Sequence, residues 1–221
     1  ATVLESRRNG LLVRGDARVE AALRQTGVQV TRLTVHPALP SNPDAFPDEE
    51  AVGQVLRALA DAHPERAEYA AIGTSVEKRP LHAIRIFGAR RGEVPTVRLL
   101  GTHHGDELMA AALLLRMATL LIEGDSGDPV IADLIDNLDI HIIPMMNPDG
   151  RAALTRENSH GVDLNRNYGY QHRTRDIFGE TGTHPPYSEP ETRAVANHHF
   201  EHRFAASLSL HNTEELVMSV W

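Results

Sequence analysis

Along this 221-residue chain the spacing of apolar residues switches repeatedly between helical and strand periods. Val52, Val55, Leu56 and Leu59 fall at i, i+3, i+4 and i+7, which predicts an amphipathic helix ending near His63 and Pro64. "EYAAIGTS" and "PLHAIRIF" read as two strands joined by the polar "VEK", a hairpin signal. A strand over 96–100 leads through a polar turn into a helix over 107–122, apolar nearly all round and therefore expected to be buried. "DPVIADLIDN" is a second helix, and "LDIHIIP" a buried strand stopped by Pro144. That strand–helix–strand order implies a right-handed crossover and parallel pairing. Residues 147–187 look irregular, and uncommitted loops of that length tend to be functional. Ser188 and Glu191 form a capping-box pattern opening a helix to about Phe204, after which "AASLSL" is a last strand ending at His211. The whole is an α/β pattern without internal repeats.

The first 40 residues read differently. "LLVRG", "DARVEAALRQTG" and "VQVTRLTV" suggest strand, short helix and strand, with Gly27 as a helix stop. Six arginines against three acidic residues make 1–35 basic in a chain whose net charge is −8. "HPALPSNPDAFP", with four prolines in twelve residues, breaks regular structure. Residues 1–40 are therefore expected to be a small appendage and 41–221 the main domain.

Composition narrows the chemistry. The acidic net charge argues against a nucleic-acid partner, since phosphate binding needs clustered positive charge. With no cysteine, thiolate chemistry is excluded and any metal site must use His, Asp or Glu. The longest apolar run, 108–122, is 15 residues and contains Arg116, short of the roughly 20 that a bilayer requires, so no membrane partner is expected.

Ligand-capable residues follow three of the strands. His103, His104, Asp106 and Glu107 come after 96–100, and Asn147 and Asp149 after 138–144, with Arg156, Asn165 and Arg166 further along that loop. His211 follows 205–210. In an open parallel sheet the carboxyl ends of the strands form the ligand-binding edge. His104 and Glu107, spaced H-x-x-E across a strand-to-helix turn, with His211 as a third ligand, would form a two-His, one-Glu set suited to one catalytic zinc ion. Each alone has a plainer reading: Glu107 favours the positive end of its helix, and a lone His at a strand end is commonly hydrogen-bonded structure. His103 competes with His104, but its spacing to Glu107 is one residue longer. A rival cluster, His198, His199 and His202 in "HHFEH", puts His198 and His202 on one helix face. No carboxyl-end rim supports it, and cationic His is favoured at a helix C-terminus in any case, so the rim set is the stronger metal candidate.

"GTHHGDE", "NPDG", "TRENSHGVDLNRNY", "PPYSEPETRAV" and "LSLHN" occur in the order and approximate spacing of the zinc carboxypeptidases related to carboxypeptidase A, and the resemblance runs from about residue 46 to 221. The resemblance implies a mixed, largely parallel sheet with helices on both faces. It implies His104, Glu107 and His211 as zinc ligands, and Arg156 as the group that polarises the scissile carbonyl. Asn165 and Arg166 would hold the substrate's terminal carboxylate, a task for which a planar guanidinium is suited. Asp163 either orients the site or caps a loop, and "SEPET" looks like a helix start. The implied activity is hydrolysis of C-terminal peptide bonds in a peptide or cell-wall peptide with a free carboxylate.

Two departures qualify that expectation. Only ten residues follow His211, so the general-base glutamate and closing tyrosine of the family have no counterpart here. On this reading the chain holds the N-terminal two-thirds of the catalytic domain and is inactive alone. Asp106 stands where animal digestive members carry arginine, and "HGDE" is more like bacterial members acting on cell-wall peptides. Two other functions stay open: an N-acyl amino acid deacylase of the related group, and a non-catalytic zinc-binding domain. Residues 1–40 resemble, faintly, the pro-segments of secreted members, which favours a secreted or periplasmic protein over a cytoplasmic one; the other reading is an extra strand pair on the main sheet.

Overall fold

The computed structural model describes residues 2–7, 10–14, 21–22, 24–26, 42–124, 128–170, 172 and 184–212, and the chain divides into two compact units, Ala1–Ser41 and Asn42–Trp221. In the first unit, strands β1 (Thr2–Arg7) and β2 (Gly10–Arg14) pair antiparallel, and residues 21–22 and 24–25 are helical. Strand β1 was not expected. The strand anticipated over "VQVTRLTV" lies outside the described residues.

The second unit is built on a five-stranded sheet. Helix α1 (Glu49–Ala62) starts at Asp48, whose carboxylate accepts from the Ala51 N–H at 2.8 Å, and stops at His63 before Pro64. Strands β3 (Ala67–Thr74) and β4 (Pro80–Ile86) form the expected hairpin. Next come β5 (Thr96–Gly101), α2 (Met109–Glu123), α3 (Pro129–Asn137) and β6 (Asp139–Ile143). The segment beyond β6, expected to be irregular, contains a short helix α4 (Pro148–Ala153) and a 3-10 turn (Leu164–Arg166) among its described residues. Helix α5 (Pro190–His202) and strand β7 (Ala206–Leu210) follow.

Strand order is β3-β4-β6-β5-β7. The β3–β4 and β4–β6 pairs are antiparallel, whereas β6–β5 and β5–β7 are parallel. The sheet is thus mixed, with its parallel half on the side whose carboxyl ends carry His104, Glu107 and His211. Successive residues of a strand point to opposite faces. Ile84 of β4, with Ile140 and Ile142 of β6, packs under α1 and α2 together with Leu56, Leu114 and Ile122. Ala83, Ile143 and Leu100 pack on the other face with Val195 of α5. Helices therefore cover both faces.

Two expectations need correction. Helix α2 is not buried all round: Leu114, Ala118 and Ile122 face the core, but Leu113 is 52% and Leu120 40% exposed. One helix face meets the sheet and α1, and apolar residues on the opposite face have no described neighbour to cover them. The capping box at Ser188 is not formed either. The cap of α5 is Glu189, Ser188 donates to the Glu189 carboxylate at 2.7 Å, and Glu191 accepts from the Val76 N–H at 3.1 Å. A long-range partner claims Glu191 in place of its own helix end.

Candidate active site

The turn after β5 is made tight by its neighbours. A Cβ on Gly105 would lie 1.9 Å from the Gly150 carbonyl carbon, so only glycine lets this turn seat against α4. Asn147, fully buried, caps α4 by accepting from the Gly150 N–H at 2.9 Å. Its amide donates to the carbonyls of His103 at 3.3 Å and Arg156 at 3.1 Å, so one side chain ties the His loop to the Arg loop. Asp149 turns away from the rim: it accepts from Ser75 Oγ at 2.7 Å and Arg79 Nη1 at 2.6 Å, and so bolts down the β3–β4 hairpin.

His104, Glu107 and His211 converge. One donor atom from each lies within 4.8 Å of the other two. The Glu107 carboxylate bridges the imidazoles, with Oε1 2.7 Å from His104 Nδ1 and Oε2 2.7 Å from His211 Nδ1. Asp163 Oδ1 lies 3.2 Å from His104 Nε2 and accepts from the Asn165 N–H at 2.8 Å. Asp163 thus reaches both His104 and the loop backbone. Its Oδ2 accepts from Arg156 Nε at 2.9 Å and Nη2 at 2.7 Å, while Arg156 Nη1 lies 3.2 Å from His104 Nδ1. Asn165 Nδ2 is 3.5 Å from His211 Nε2, and Arg166, ending the same 3-10 turn, donates from Nη1 to the Asn165 carbonyl at 3.5 Å. Asp163 thus stands among five residues assigned roles from the sequence, His104, Glu107, His211, Arg156 and Asn165, and Arg166 stands at the edge of the cluster.

Electrostatics show what this cluster wants. Burial works against a charged His104, but hydrogen bonds to Asp163 and Glu107 outweigh it and carry the imidazole up to about 9. Glu107 is likewise opposed by burial, yet its two imidazole partners pull it down to about 2. Asp163 is held well below the carboxylate range by His104 and Arg156 against the same burial cost. Two largely buried carboxylates, both favoured in the ionised form, thus favour a positive charge between them. The donor set, two imidazoles and one carboxylate, is of the kind that holds a catalytic zinc ion, and these three residues suit that ion chemically. His103 is no competitor. Burial, then the charges of His211 and His104, push it down to about 3, and its nitrogens are taken by Tyr168 Oη at 2.8 Å and Ser209 Oγ at 2.9 Å.

One contributor was not singled out from the sequence. With its amide oriented so that Oδ1 faces α2, Asn212 accepts from the Leu108 and Met109 N–H groups at 2.9 and 3.0 Å. It caps a helix whose own start lacks a side-chain cap, and so fixes the end of β7, which carries His211, against the start of α2, beside Glu107. "LSLHN" contained the signal, but nothing local says that the partner lies about a hundred residues earlier.

A mixed sheet whose parallel half presents a His-x-x-Glu turn, a distant His and an Arg–Asp pair at one rim is an arrangement of the carboxypeptidase A type of fold. Comparison with known proteins agrees: residues 52–221 match the zinc carboxypeptidase (peptidase M14) family, and the chain belongs to it. It is 36% identical over 143 residues to carboxypeptidase SOL1 of Arabidopsis thaliana, a match covering 63% of this chain and 28% of that protein. To human carboxypeptidase D it is 33% identical over 178 residues, covering 75% of this chain and 12% of the relative. The crystal structure of carboxypeptidase A from Helicoverpa armigera superposes with a TM-score of 0.67 at 25% identity, over 88% of this chain and 58% of that one. The chain thus spans well under two-thirds of the length of each. No helix among the described residues is long and apolar enough to cross a membrane.

Proposed function

We propose that this chain carries the zinc-binding and carboxylate-recognising parts of a metallocarboxypeptidase that removes C-terminal residues from peptides. The observation that carries this reading is the meeting of His104, Glu107 and His211, from two separate chain segments, beside the Arg156–Asp163 pair. His104, Glu107 and His211 would hold one zinc ion, which supplies Lewis acidity toward water and a carbonyl. The chain's own residues do the rest. Asp163 accepts from Arg156 and leans on His104, fixing the direction of both. Arg156 donates to the oxygen of the scissile carbonyl and steadies its developing negative charge, a contribution worth several kcal/mol in comparable oxyanion sites. Asn165 and Arg166, on one 3-10 turn beside His211, select a free terminal carboxylate over an amide or an internal residue. That selection would make the reaction exopeptidic; residues 1–40 would be an appendage to this domain, with secretion or export as its setting.

Binding to the zinc-loaded chain tests the assignment without requiring turnover. Arg166→Ala should weaken a carboxylate-terminated peptide by at least tenfold and its amidated form hardly at all, measured by calorimetry. Equal losses for both forms would refute the carboxylate-holding role.

A further inference from the structure

A second histidine cluster lies outside this rim. His141, in the middle of β6, is 3% exposed, and His198 of α5 is 4% exposed. His141 Nδ1 and His198 Nε2 are 3.1 Å apart. His202, one turn further along α5, closes the triangle: ring centroids are 4.4 Å apart for His141–His202, 4.7 Å for His198–His202 and 5.0 Å for His141–His198. One nitrogen from each ring lies within 4.8 Å of the other two.

The 3.1 Å contact joins His141 Nδ1 and His198 Nε2 and leaves out the other nitrogen of each ring. His198 Nδ1 and His141 Nε2 are buried and have no hydrogen-bond partner. Burial first, then the neighbouring His141 and His202, push His198 down to about 3, and burial also lowers His202. Asp139 Oδ1 lies 3.5 Å from His141 Nε2, on the far side of that ring from Nδ1. A carboxylate behind an imidazole whose other nitrogen faces the cluster is the usual support for a metal-ligating histidine.

From this geometry we propose a second, structural metal site formed by His141, His198 and His202, taking a borderline divalent ion of the zinc type. Three neutral imidazoles favour Zn2+, Co2+, Ni2+ or Cu2+ over Mg2+ and Ca2+, which demand oxygen ligands. In a tetrahedral site with bonds of about 2.0–2.1 Å, ligand nitrogens stand about 3.3 Å apart. The His141–His198 pair is already close to that spacing, so the adjustment falls on His202, which is partly exposed and open to an arriving ion. The guanidiniums of Arg85, paired with Asp139, and Arg98, over the Phe204 ring at 4.7 Å, work against a cation here, so this site binds more weakly than the rim. Its effect is to clamp the last turn of α5 onto β6. It is independent of the zinc carboxypeptidase reading, because it shares no residue with that site.

The full chain, stripped of metal, is titrated with Zn2+ and separately with Co2+, following stoichiometry by calorimetry and Co2+ ligand-field bands. Two equivalents are expected for the wild type, one for His202→Gln and one for the His104→Ala/His211→Ala double variant. Adding His202→Gln to that double variant should leave none, and its zinc-induced rise in Tm should vanish. A single equivalent in the wild type that disappears with His104→Ala/His211→Ala overturns the proposal, as does a second equivalent that survives both His202→Gln and His198→Asn. A wild-type equivalent lost only with the His202 and His198 variants would sink the rim reading and leave this one standing. Because His202 is on the exposed side of the cluster, His202→Gln spares the core; the double variant, whose β6 and α5 residues are untouched, reads the same site by Co2+ spectrum without altering it.

Discussion

His104 shows how much one side chain depends on what stands behind it. Its Nδ1 faces Glu107 and its Nε2 faces Asp163, so the ring's orientation and proton are settled from both sides. Asp163→Asn removes the charge that supports both His104 and Arg156. Loss of such a support generally costs 10–100-fold in metal affinity, and competition with a zinc chelator should show a fall of about that size at the rim site. Gly105 tests the same rim through the backbone. With 1.9 Å between an added Cβ and the Gly150 carbonyl carbon, Gly105→Ala must push the His loop away from α4. Overpacking of this kind costs about 1–3 kcal/mol, to be read as a lowered denaturation midpoint together with weakened zinc binding. That His104 and Glu107 would meet was legible from H-x-x-E and the strand before them. The roles of Asn147 and Asn212 were not, because each works through backbone groups that only folding brings near.

Among the elements, β6 carries the heaviest electrostatic load. Asp139, 1% exposed, accepts two hydrogen bonds from Arg85 Nε at 2.9 and 3.1 Å and a further one from Arg85 Nη2. Burial would raise its pKa, but Arg85 and His141 more than offset that and hold it far below the carboxylate range. Asp139→Asn leaves the Arg85 charge without its partner. Breaking a buried pair costs about 3–5 kcal/mol, and urea unfolding should place this variant near the lower figure, since Arg85 is part-exposed. Glu68→Gln, at the exposed pair with Arg91, should change stability by less than about 1 kcal/mol. The same contrast explains which elements the sequence revealed. Helix α1 and the β3–β4 hairpin declare themselves by local period and turn chemistry. The start of α5 was misplaced because Glu191 serves the β3–β4 turn through Val76 and the 158 loop through Asn158.

For the molecule as a whole, the acidic "SEPET" segment works as an anchor for the loop that carries Arg156 and Asp163. Glu189 accepts from Asn158 Nδ2 at 2.8 Å and pairs with His160 Nδ1 at 2.8 Å. Burial raises its pKa, but Asn158, Ser188 and His160 together hold it below the ordinary 4.5. A depressed carboxylate stabilises the fold above its unfolded value, and that stabilisation is lost as pH falls through the lower folded value. Glu189→Gln should therefore flatten the acid limb of the stability curve below about pH 4.5, seen as a smaller change in Tm between pH 5 and pH 3 than in the wild type. The amino-acid order alone determined the kinds and places of most elements, the residue types available for metal and carboxylate binding, and the family they resemble. All of these rest on neighbours a few positions apart. Tertiary structure decided that β4 runs antiparallel to β6 while β7 runs parallel to β5, that Asn212 reaches the start of α2, and that His141 faces His198 across 57 positions of chain. Those meetings are set by how buried faces pack against one another, and no local period encodes that.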